Sequence, residues 1–339
     1  MKQEWGSLRK RLFASVGKLK KVALLCITLL LSNSLMAAQA ATTMTETRVK
    51  LGQYDVPVRQ WTDSNTKPRA IVVGIHGCSR SSGCFQPLAE HLTAKGFMLV
   101  CPDLRGHGEW YFAAKKPQDK IVDYKGSTDD VVNLINNLQT KYPSTPIFCM
   151  GESAGAMIAL KVATRCPSIN GLILSSVGTK PCIHDVPNIV RDVVAGLLNF
   201  DQPLDIKETM ANYSSDEERV RAAAAADPML KPGLSGRELL RTSMLLNQTA
   251  SNASRVPDHI PVLMMQGKRD QIVEASSALQ ILGKMKCKEK QLAEFPCGHI
   301  LLSTPYLRDD VISTMSDWLT KETSAQQTAL LQNTSTQEH

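Results

Sequence analysis

A serine lies between two glycines in the motif Gly151-Glu152-Ser153-Ala154-Gly155, directly after the apolar run Pro146–Met150 and before a stretch rich in Ala, Met and Leu. This GxSxG spacing at a strand-to-helix junction is typical of a nucleophile elbow, a turn so tight that only small residues fit two positions before and after the serine. The serine then stands at the positive end of a helix, which stabilises a developing anion. The pattern predicts that Ser153 is the nucleophile of an acyl transfer rather than only a helix cap.

A serine hydroxyl becomes a good nucleophile only when a base takes its proton and a carboxylate orients that base. The histidines that follow Ser153 in the chain are His184, His259, His299 and His339. His299 comes just after the last predicted strand, in Phe295-Pro-Cys-Gly-His299, where a loop can bring it to the carboxyl end of the sheet. We therefore predict His299 as the general base.

The predicted acid is Asp270, which follows the strand Pro261–Met265 after a glycine-containing turn. Asp258 precedes the same strand and would lie at the opposite end of the sheet from the serine. With Asp270, the chain order is nucleophile, acid and then base, which is one of the orders that serine hydrolases use.

The tetrahedral intermediate of an acyl transfer also needs hydrogen-bond donors for its oxyanion. One expected donor is the backbone N–H of Ala154, directly after the nucleophile. The other is the backbone N–H of Cys78, in the loop His76-Gly77-Cys78-Ser79 that follows the strand Ala70–Ile75.

These groups need a sheet whose strands end at one edge, and from about residue 70 the chain alternates short apolar runs with helical patterns. The predicted strands are Ala70–Ile75, Phe97–Cys101, Pro146–Met150, Gly171–Ser175, Pro261–Met265 and Gln291–Phe295. Such an alternation indicates an α/β fold, with a mainly parallel sheet and helices on both faces. Two earlier amphipathic segments, Thr47–Gly52 and Tyr54–Trp61, predict an antiparallel hairpin at the sheet edge.

A long helical insertion, about residues 178–258, follows the sixth predicted strand, and its length favours a cap over a loop. Within it, Val186–Leu198 places seven apolar side chains on one helical stripe. We expect Val190, Val194 and Leu197 to line the substrate-binding pocket, and packing of the stripe against the main domain is the alternative.

The composition excludes several classes of protein. The 339 residues include 39 Lys+Arg and 32 Asp+Glu, for a formal net charge of +7. Seven of the basic residues and one acid lie in residues 1–40, so the body is close to neutral and does not predict nucleic-acid binding. No cysteine spacing predicts a metal site. The tail over 322–339 is polar without apolar periodicity, and we expect it to be disordered.

The first forty residues have the parts of a secretory signal peptide: a basic segment, the short apolar run Val22–Leu31, and small residues at Ala38 and Ala40. The run is too short to cross a bilayer, which needs about twenty apolar residues. We therefore expect export to the periplasm or the medium, followed by a hydrolase domain over residues 41–321. An uncleaved membrane anchor is the alternative.

Export permits disulfides among the eight cysteines that follow residue 40. Cys78 and Cys84 share one loop and form the expected single bridge. The neighbours Cys287 and Cys297 flank a strand of five extended residues, which span about 17 Å, whereas bridged Cα atoms lie within about 7 Å. That pair is therefore disfavoured, and Cys166 with Cys182 is disfavoured for the same reason.

Together the motifs resemble the α/β-hydrolase superfamily, and within it the monoacylglycerol lipase/lysophospholipase-like serine hydrolases. The matching segments are His76-Gly77-Cys78-Ser79 with Ser82-Gly83, Asp103-Leu-Arg-Gly-His107-Gly108, the motif around Ser153, Gly267-Lys-Arg-Asp270, Gly298-His299 and Asp227-Pro228. The resemblance covers about residues 47–320. Ser79 and Ala156 stand where this family usually has glycine.

The resemblance implies an α/β-hydrolase fold with a helical cap after the sixth strand, and a triad of Ser153, Asp270 and His299. It implies hydrolysis of carboxylic esters, with monoacylglycerols or lysophospholipids as expected substrates, and it implies no cofactor and no metal. We expect a small-molecule or lipid ester as partner, with a transient contact of the cap with a membrane surface. The oligomeric state stays open.

Three alternatives remain, because the same elbow and triad serve all acyl transfers. A thioesterase and an aminopeptidase would use the same groups, and the aminopeptidase would also need acidic cap residues, such as Asp216, Glu217 and Glu218, to hold a substrate amine. A catalytically silent lipid-binding protein would use only the pocket.

We predict that the mature protein begins at Ala41, because Ala38 and Ala40 satisfy the small-x-small rule for signal-peptide cleavage. The intact mass of the exported protein measures this directly. A mass that still includes residues 1–40 would instead support the membrane anchor.

Overall fold

The computed structural model describes residues 42–180, 182, 200–205 and 207–337. Its strands are β1 (Thr42–Leu51), β2 (Tyr54–Asp63), β3 (Ala70–Ile75), β4 (Phe97–Pro102), β5 (Ile147–Glu152), β6 (Gly171–Ser175), β7 (Pro203–Asp205), β8 (Gly233–Ser235), β9 (Val262–Gly267) and β10 (Lys290–Phe295). In the described chain, eight of them form one sheet in the order β1-β2-β4-β3-β5-β6-β9-β10. The pairs β1–β2 and β2–β4 are antiparallel, and the other pairs of this sheet are parallel. The predicted mainly parallel sheet and its edge hairpin are confirmed.

Helices cover both faces of this sheet. They are α1 (Gln86–Ala94), α2 (Gly108–Phe112), α3 (Tyr124–Lys141), α4 (Ala154–Ala163), α5 (Lys207–Ser214), α6 (Glu218–Ala226), α7 (Gly236–Ala253), α8 (Ser276–Lys284) and α9 (Asp309–Gln337). Ile71, Val73 and Ile75 of β3 share a buried cluster with residues of α3, α4 and α8, whereas Ala70 and Val72 share one with residues of α1 and α9. Because the central strands are buried on both faces, they are continuously apolar.

The direction of the parallel strands determines where the predicted site residues lie. Strands β3, β5, β9 and β10 are parallel to one another through their neighbours in the sheet, so their carboxyl ends share one edge. Cys78 follows β3, Ser153 follows β5, Asp270 follows β9, and His299 follows β10. The fold therefore brings four loops with chemically useful groups to the same edge.

The insertion between β6 and β9 contains helices, as predicted, in its described part. The helices α5, α6 and α7 follow one another there, and β7 pairs antiparallel with β8. The helix α7 begins at a capping box, in which the Ser235 hydroxyl accepts from the Glu238 amide and the Glu238 carboxylate accepts from the Ser235 amide. Val190, Val194 and Leu197, predicted to bind substrate, lie outside the described residues.

A buried lysine joins the insertion to the main domain. The Nζ of Lys231 lies 2.6 Å from the Glu238 carboxylate and donates to the carbonyls of Gly106 and Lys120. Its backbone N–H donates to the carbonyl of Ser79 in the loop after β3, at 2.8 Å. Because the side chains of Lys231 and Glu238 are almost fully buried, removal of either would leave an uncompensated buried charge.

The C-terminal helix is longer than the sequence indicated. The prediction of a disordered tail over 322–339 is wrong for the residues up to Gln337, which continue α9. Leu319, Glu322 and Thr323 share one face of this helix and are buried. Further along, the Gln326 side chain accepts a hydrogen bond from the Asn170 amide. Contacts with the main domain thus hold the helix as far as Gln326, where the sequence lacks apolar periodicity.

The predicted bridge between Cys78 and Cys84 is also wrong. All eight cysteines of the described residues are free thiols. The Cys78 thiol instead accepts a hydrogen bond from the Tyr124 hydroxyl, and the Cys84 thiol belongs to the buried cluster under α1. The two cysteines of this loop therefore pack into different surroundings. Within the described residues, no helix is both long and apolar enough to cross a membrane.

Candidate active site

Ser153 occupies the sharp turn between β5 and α4 with backbone angles φ 58° and ψ −121°. The turn requires glycine on both sides, because a Cβ at Gly151 would collide with the carbonyl of Gly155, and a Cβ at Gly155 would collide with the carbonyl of Ile75. The backbone N–H of Ser153 donates to the carbonyl of Ser175 at 2.9 Å. A non-glycine residue at positive φ is strained, and the packing of strand and helix maintains it.

His299 and Asp270, predicted as base and acid, lie in direct contact. The Nδ1 of His299 lies 2.8 Å from the Oδ2 of Asp270, and both side chains are buried. The other Asp270 oxygen accepts from the backbone amides of Ile272 and Val273, and Oδ2 also accepts from the Gln266 side chain. These bonds fix the carboxylate, which holds the proton on Nδ1 and leaves Nε2 as the basic nitrogen.

The surroundings of His299 and Asp270 shift the pKa of each. Burial lowers the pKa of His299, but the charge and hydrogen bond of Asp270 and the charge of Glu152 outweigh it, so the pKa lies above its ordinary value. Burial likewise raises the pKa of Asp270, but the His299 contact and the amide hydrogen bonds outweigh it, so this pKa lies below its ordinary value. Asp270 is therefore ionised at neutral pH and stabilises a proton on the imidazole.

The loop that follows β3 approaches the serine closely. A Cβ at Gly77 would lie 3.3 Å from the Cβ of Ser153, so the backbone of this loop packs directly against Ser153. Cys78 is the next residue, and it lines the same cleft as Ser153 and His299. Ala154 is the first residue of α4, so its N–H has no acceptor within the helix. The two predicted oxyanion donors thus belong to segments that flank the serine.

Ser79 shows why glycine is usual at its position. Its φ is +62°, a conformation that side-chain-bearing residues rarely adopt. The carbonyl of Ser79 accepts from the backbone N–H of Lys231. The insertion therefore holds the loop after β3 in a conformation that a glycine would reach without strain.

The cleft also has an apolar wall that the sequence did not reveal. Its apolar lining residues in the described chain include Met210, Ala211, Ala224, Leu230, Ile272 and Ile300. Several come from α5, from α6 and from the segment after α6. An amphipathic helix is recognised in a sequence by the contrast between its apolar and its polar face. The alanine run of α6 lacks this contrast, so the sequence did not predict which of its residues face the cleft. Only the packing of these short helices identifies the side chains that face the serine.

Comparisons with known proteins identify the family. The profile of the family described as serine aminopeptidase, S33, matches residues 66–303, which include all the predicted triad positions. Monoglyceride lipase of Mus musculus is 24% identical over 283 residues, which cover 81% of this chain and 89% of that protein. Monoacylglycerol lipase of Mycolicibacterium smegmatis is 25% identical over 266 residues, covering 77% of this chain and 91% of that protein.

A solved structure shows the same architecture. The crystal structure of a soluble variant of monoglyceride lipase from Saccharomyces cerevisiae, in complex with a substrate analog, superposes with a TM-score of 0.69. The match covers 84% of this chain and 98% of that structure, and the two chains are 21% identical. The chain therefore has the α/β-hydrolase fold and belongs to the family described as serine aminopeptidase, S33, within which it resembles the monoacylglycerol lipases.

Proposed function

We propose that this protein is a serine hydrolase that cleaves carboxylic esters of the monoacylglycerol or lysophospholipid type through an acyl-enzyme. The observation that carries the proposal is the cleft, which Ser153 and His299 line together while the buried Asp270 bonds to His299 at 2.8 Å. A nucleophile, a base and an orienting carboxylate at one site are the requirements of covalent acyl transfer.

In the first half-reaction, the Oγ of Ser153 attacks the ester carbonyl carbon while Nε2 of His299 takes the serine proton. The N–H groups of Cys78 and Ala154 donate to the oxyanion of the tetrahedral intermediate. His299 then gives its proton to the departing alcohol oxygen as the ester bond breaks. The acyl group stays on Ser153, and Asp270 stabilises the transient imidazolium.

The second half-reaction releases the acyl group as a carboxylic acid. A water molecule attacks the acyl-enzyme carbonyl while Nε2 of His299 takes one of its protons. Collapse of the second tetrahedral intermediate breaks the bond to Ser153 and returns the proton to its Oγ. The same two amides stabilise both intermediates, because the oxyanion occupies one position throughout.

The wall of the cleft supports a substrate with an apolar acyl group. Met210, Ala224, Leu230 and Ile300 contribute apolar surface beside the serine. Each acyl methylene buried there contributes about 0.8 kcal/mol. The monoglyceride lipases among the relatives agree with this substrate class.

An aminopeptidase is the second candidate, because the matching family carries that description. It would need a carboxylate to hold the substrate amine. Asp216 pairs with Arg269 at 3.0 Å, and Glu217 pairs with Arg219 at 2.8 Å. Among the described residues that line the cleft, Glu152 is the only carboxylate, and it is already bonded within the protein. The ester is therefore the better supported substrate.

Export and membrane contact belong to the same proposal. The N-terminal segment supports export to the periplasm or the medium. The intact mass of the exported protein tests this. On α7, the exposed side chains of Leu240 and Met244 lie one turn apart. This apolar pair supports a transient contact of the insertion with a membrane surface.

We predict that Ser153→Ala abolishes both ester hydrolysis and covalent labelling by a fluorophosphonate while the protein stays folded. Asp270→Asn loses about ten-thousandfold in kcat, because the base then adopts the wrong tautomer. The loss in His299→Ala is not additive with that in Ser153→Ala, since the residues act as a unit. Near-full activity of His299→Ala would contradict the assignment, and absence of labelling in the wild type would support a silent binding protein.

A panel of esters, thioesters and aminoacyl amides of matched acyl length separates the enzyme classes. The proposal expects the ester to have the highest kcat/KM. A preference for the aminoacyl amide would establish the aminopeptidase instead, and a preference for the thioester would establish the thioesterase.

The pH dependence follows from the raised pKa of His299. A protonated imidazole cannot accept the serine proton, so kcat/KM falls as the pH drops through this pKa. We predict an apparent pKa above about 6.5, the ordinary histidine value, for the acid limb of kcat/KM. Initial rates over a pH series measure it, and an acid limb at or below the ordinary value would contradict the raised pKa.

We predict that Ala224→Phe shortens the preferred acyl chain, because a ring at this buried position fills the cleft. Loss of contact with four methylenes lowers kcat/KM for long esters about a hundredfold and spares acetate esters. Ala222→Phe is the matched control, since Ala222 lies on the exposed face of the same helix. Equal losses on long and short esters in Ala224→Phe would show that this wall does not hold the acyl chain.

A further inference from the structure

The residue before the nucleophile, Glu152, is a buried carboxylate that holds the loop after His299. Its side chain lies at the end of β5, and the residue is 2% exposed. Its Oε1 accepts from the backbone N–H groups of Leu301 and Leu302, at 2.9 and 2.8 Å. Its Oε2 accepts from the backbone N–H of Ser303 at 3.1 Å. One carboxylate thus binds three successive amides of the loop that carries the predicted base.

Two hydroxyl groups complete the surroundings of this carboxylate. The Ser175 hydroxyl, at the end of β6, donates to Oε1 at 3.0 Å, and the Ser303 hydroxyl donates to Oε2 in a short hydrogen bond. Among the described residues, no Lys or Arg side chain forms an ion pair with Glu152. Five hydrogen-bond donors therefore stabilise the buried charge in place of a cation.

Further hydrogen bonds hold the carbonyl of His299 and the residue that follows it. The Ser176 hydroxyl donates to the carbonyl of His299, and the backbone N–H of Ile300 donates to the carbonyl of Ser214 in α5. Glu152 then holds the three residues that follow Ile300. Because Glu152 and Ser153 are adjacent in the chain, a displacement of the nucleophile and a displacement of the His299 loop are coupled through one side chain.

Glu152 and His299 line the same cleft, and the negative charge of Glu152 helps to hold the pKa of His299 above its ordinary value. We propose that Glu152 is a positioning residue for ester hydrolysis, whose carboxylate fixes the His299 loop beside Ser153 and whose charge stabilises the imidazolium that forms when Ser153 is deprotonated. This proposal rests on the proposed function, because it requires Ser153 and His299 to react as assigned there.

The other charged groups around this loop occur as opposite pairs. Asp270 contacts His299 directly and is the acid of the triad. Arg80 donates to the carbonyl of Ser303 at 2.7 Å and lies 3.9 Å from Asp227 of the insertion. Beside Gly298, Arg269 lies 3.0 Å from Asp216.

The charges within each of these pairs offset each other. Asp270 and Glu152 are therefore the two carboxylates whose charge raises the pKa of His299. Both favour the protonated base. They differ in their contacts, since Asp270 bonds to the ring itself whereas Glu152 acts through the loop and through space. This difference allows the contribution of Glu152 to be measured separately.

The test compares the wild type with Glu152→Gln and Glu152→Asp. Glutamine keeps the shape of the side chain but removes the charge and presents an amide N–H₂ to donors of the loop. Aspartate keeps the charge but is one methylene shorter, so it loses contact with part of the loop. For each protein, fluorophosphonate titration gives the concentration of active sites, and kcat/KM for one ester is measured across pH.

We expect the acid limb of Glu152→Gln to move to lower pH by about one unit, because a nearby negative charge has been removed. Its plateau kcat/KM per active site falls about a hundredfold, as a misplaced catalytic group would cause. Glu152→Asp retains the wild-type acid limb and loses only plateau activity. A residue that only stabilised the fold would change the melting temperature and the active fraction, and would leave the acid limb in place.

Asp130→Asn is the matched control. Asp130 is also a buried carboxylate, but it pairs with Arg105 and does not line the cleft. We expect Asp130→Asn to lower the melting temperature without moving the acid limb of kcat/KM.

The proposal is overturned if Glu152→Gln keeps the wild-type acid limb and plateau per active site, while the wild type is labelled and hydrolyses the ester. Failure of the wild type to be labelled overturns the proposed function itself, and the two failures are thereby distinguished. If Glu152→Gln does not fold, Glu152→Asp decides, because a full wild-type plateau in that variant contradicts the positioning role.

Discussion

The strained turn at Ser153 is the constraint on which the rest of the site depends. A residue with a side chain adopts a φ of +58° there because β5 and α4 meet at an angle that only glycines at 151 and 155 allow. The turn places Ser153 at the carboxyl edge of the sheet and aims the first N–H groups of α4 toward the same space. Cys78, His299 and Asp270, predicted as oxyanion donor, base and acid, must then reach this one point from other strands.

Two buried carboxylates hold His299 and its loop at that point, and the protein stabilises their charges differently. Asp270 accepts from two backbone amides and from Gln266, and it bonds to the His299 ring. Glu152 accepts from the loop after His299 and from the end of β6. A charge in a low-dielectric interior is costly unless such donors compensate it, so both carboxylates also fix the segments that supply the donors. The same residues thus contribute to stability and to the geometry of the cleft.

The insertion takes part in the site as well as covering it. Lys231 bonds to the carbonyl of Ser79 and forms a buried ion pair with Glu238 at the start of α7. Any movement of this part of the insertion would therefore be transmitted to the loop after β3. Short helices of the insertion also supply the apolar wall beside Ser153, so one segment both lines the cleft and contacts the loop that carries a predicted oxyanion donor.

Local sequence determined the strands, the turn and the three candidate residues of the triad. Apolar runs such as Ala70–Ile75 and Gly171–Ser175 match their strands, because burial on both faces leaves a continuous apolar pattern. The glycines around Ser153 identify the elbow, because steric exclusion at that turn allows little else. The positions of Asp270 and His299 followed from strand direction, since parallel strands end at one edge.

Tertiary structure alone decided the features that depend on contacts between distant residues. The sequence did not predict the contacts of Glu152, because its donors, Leu301–Ser303, lie about 150 positions away. The free thiols of Cys78 and Cys84 and the buried face of α9 around Thr323 likewise depend on neighbours from other elements. Local pattern reports the conformation that a segment prefers, whereas hydrogen-bond partners and buried faces are set only when the whole chain has packed.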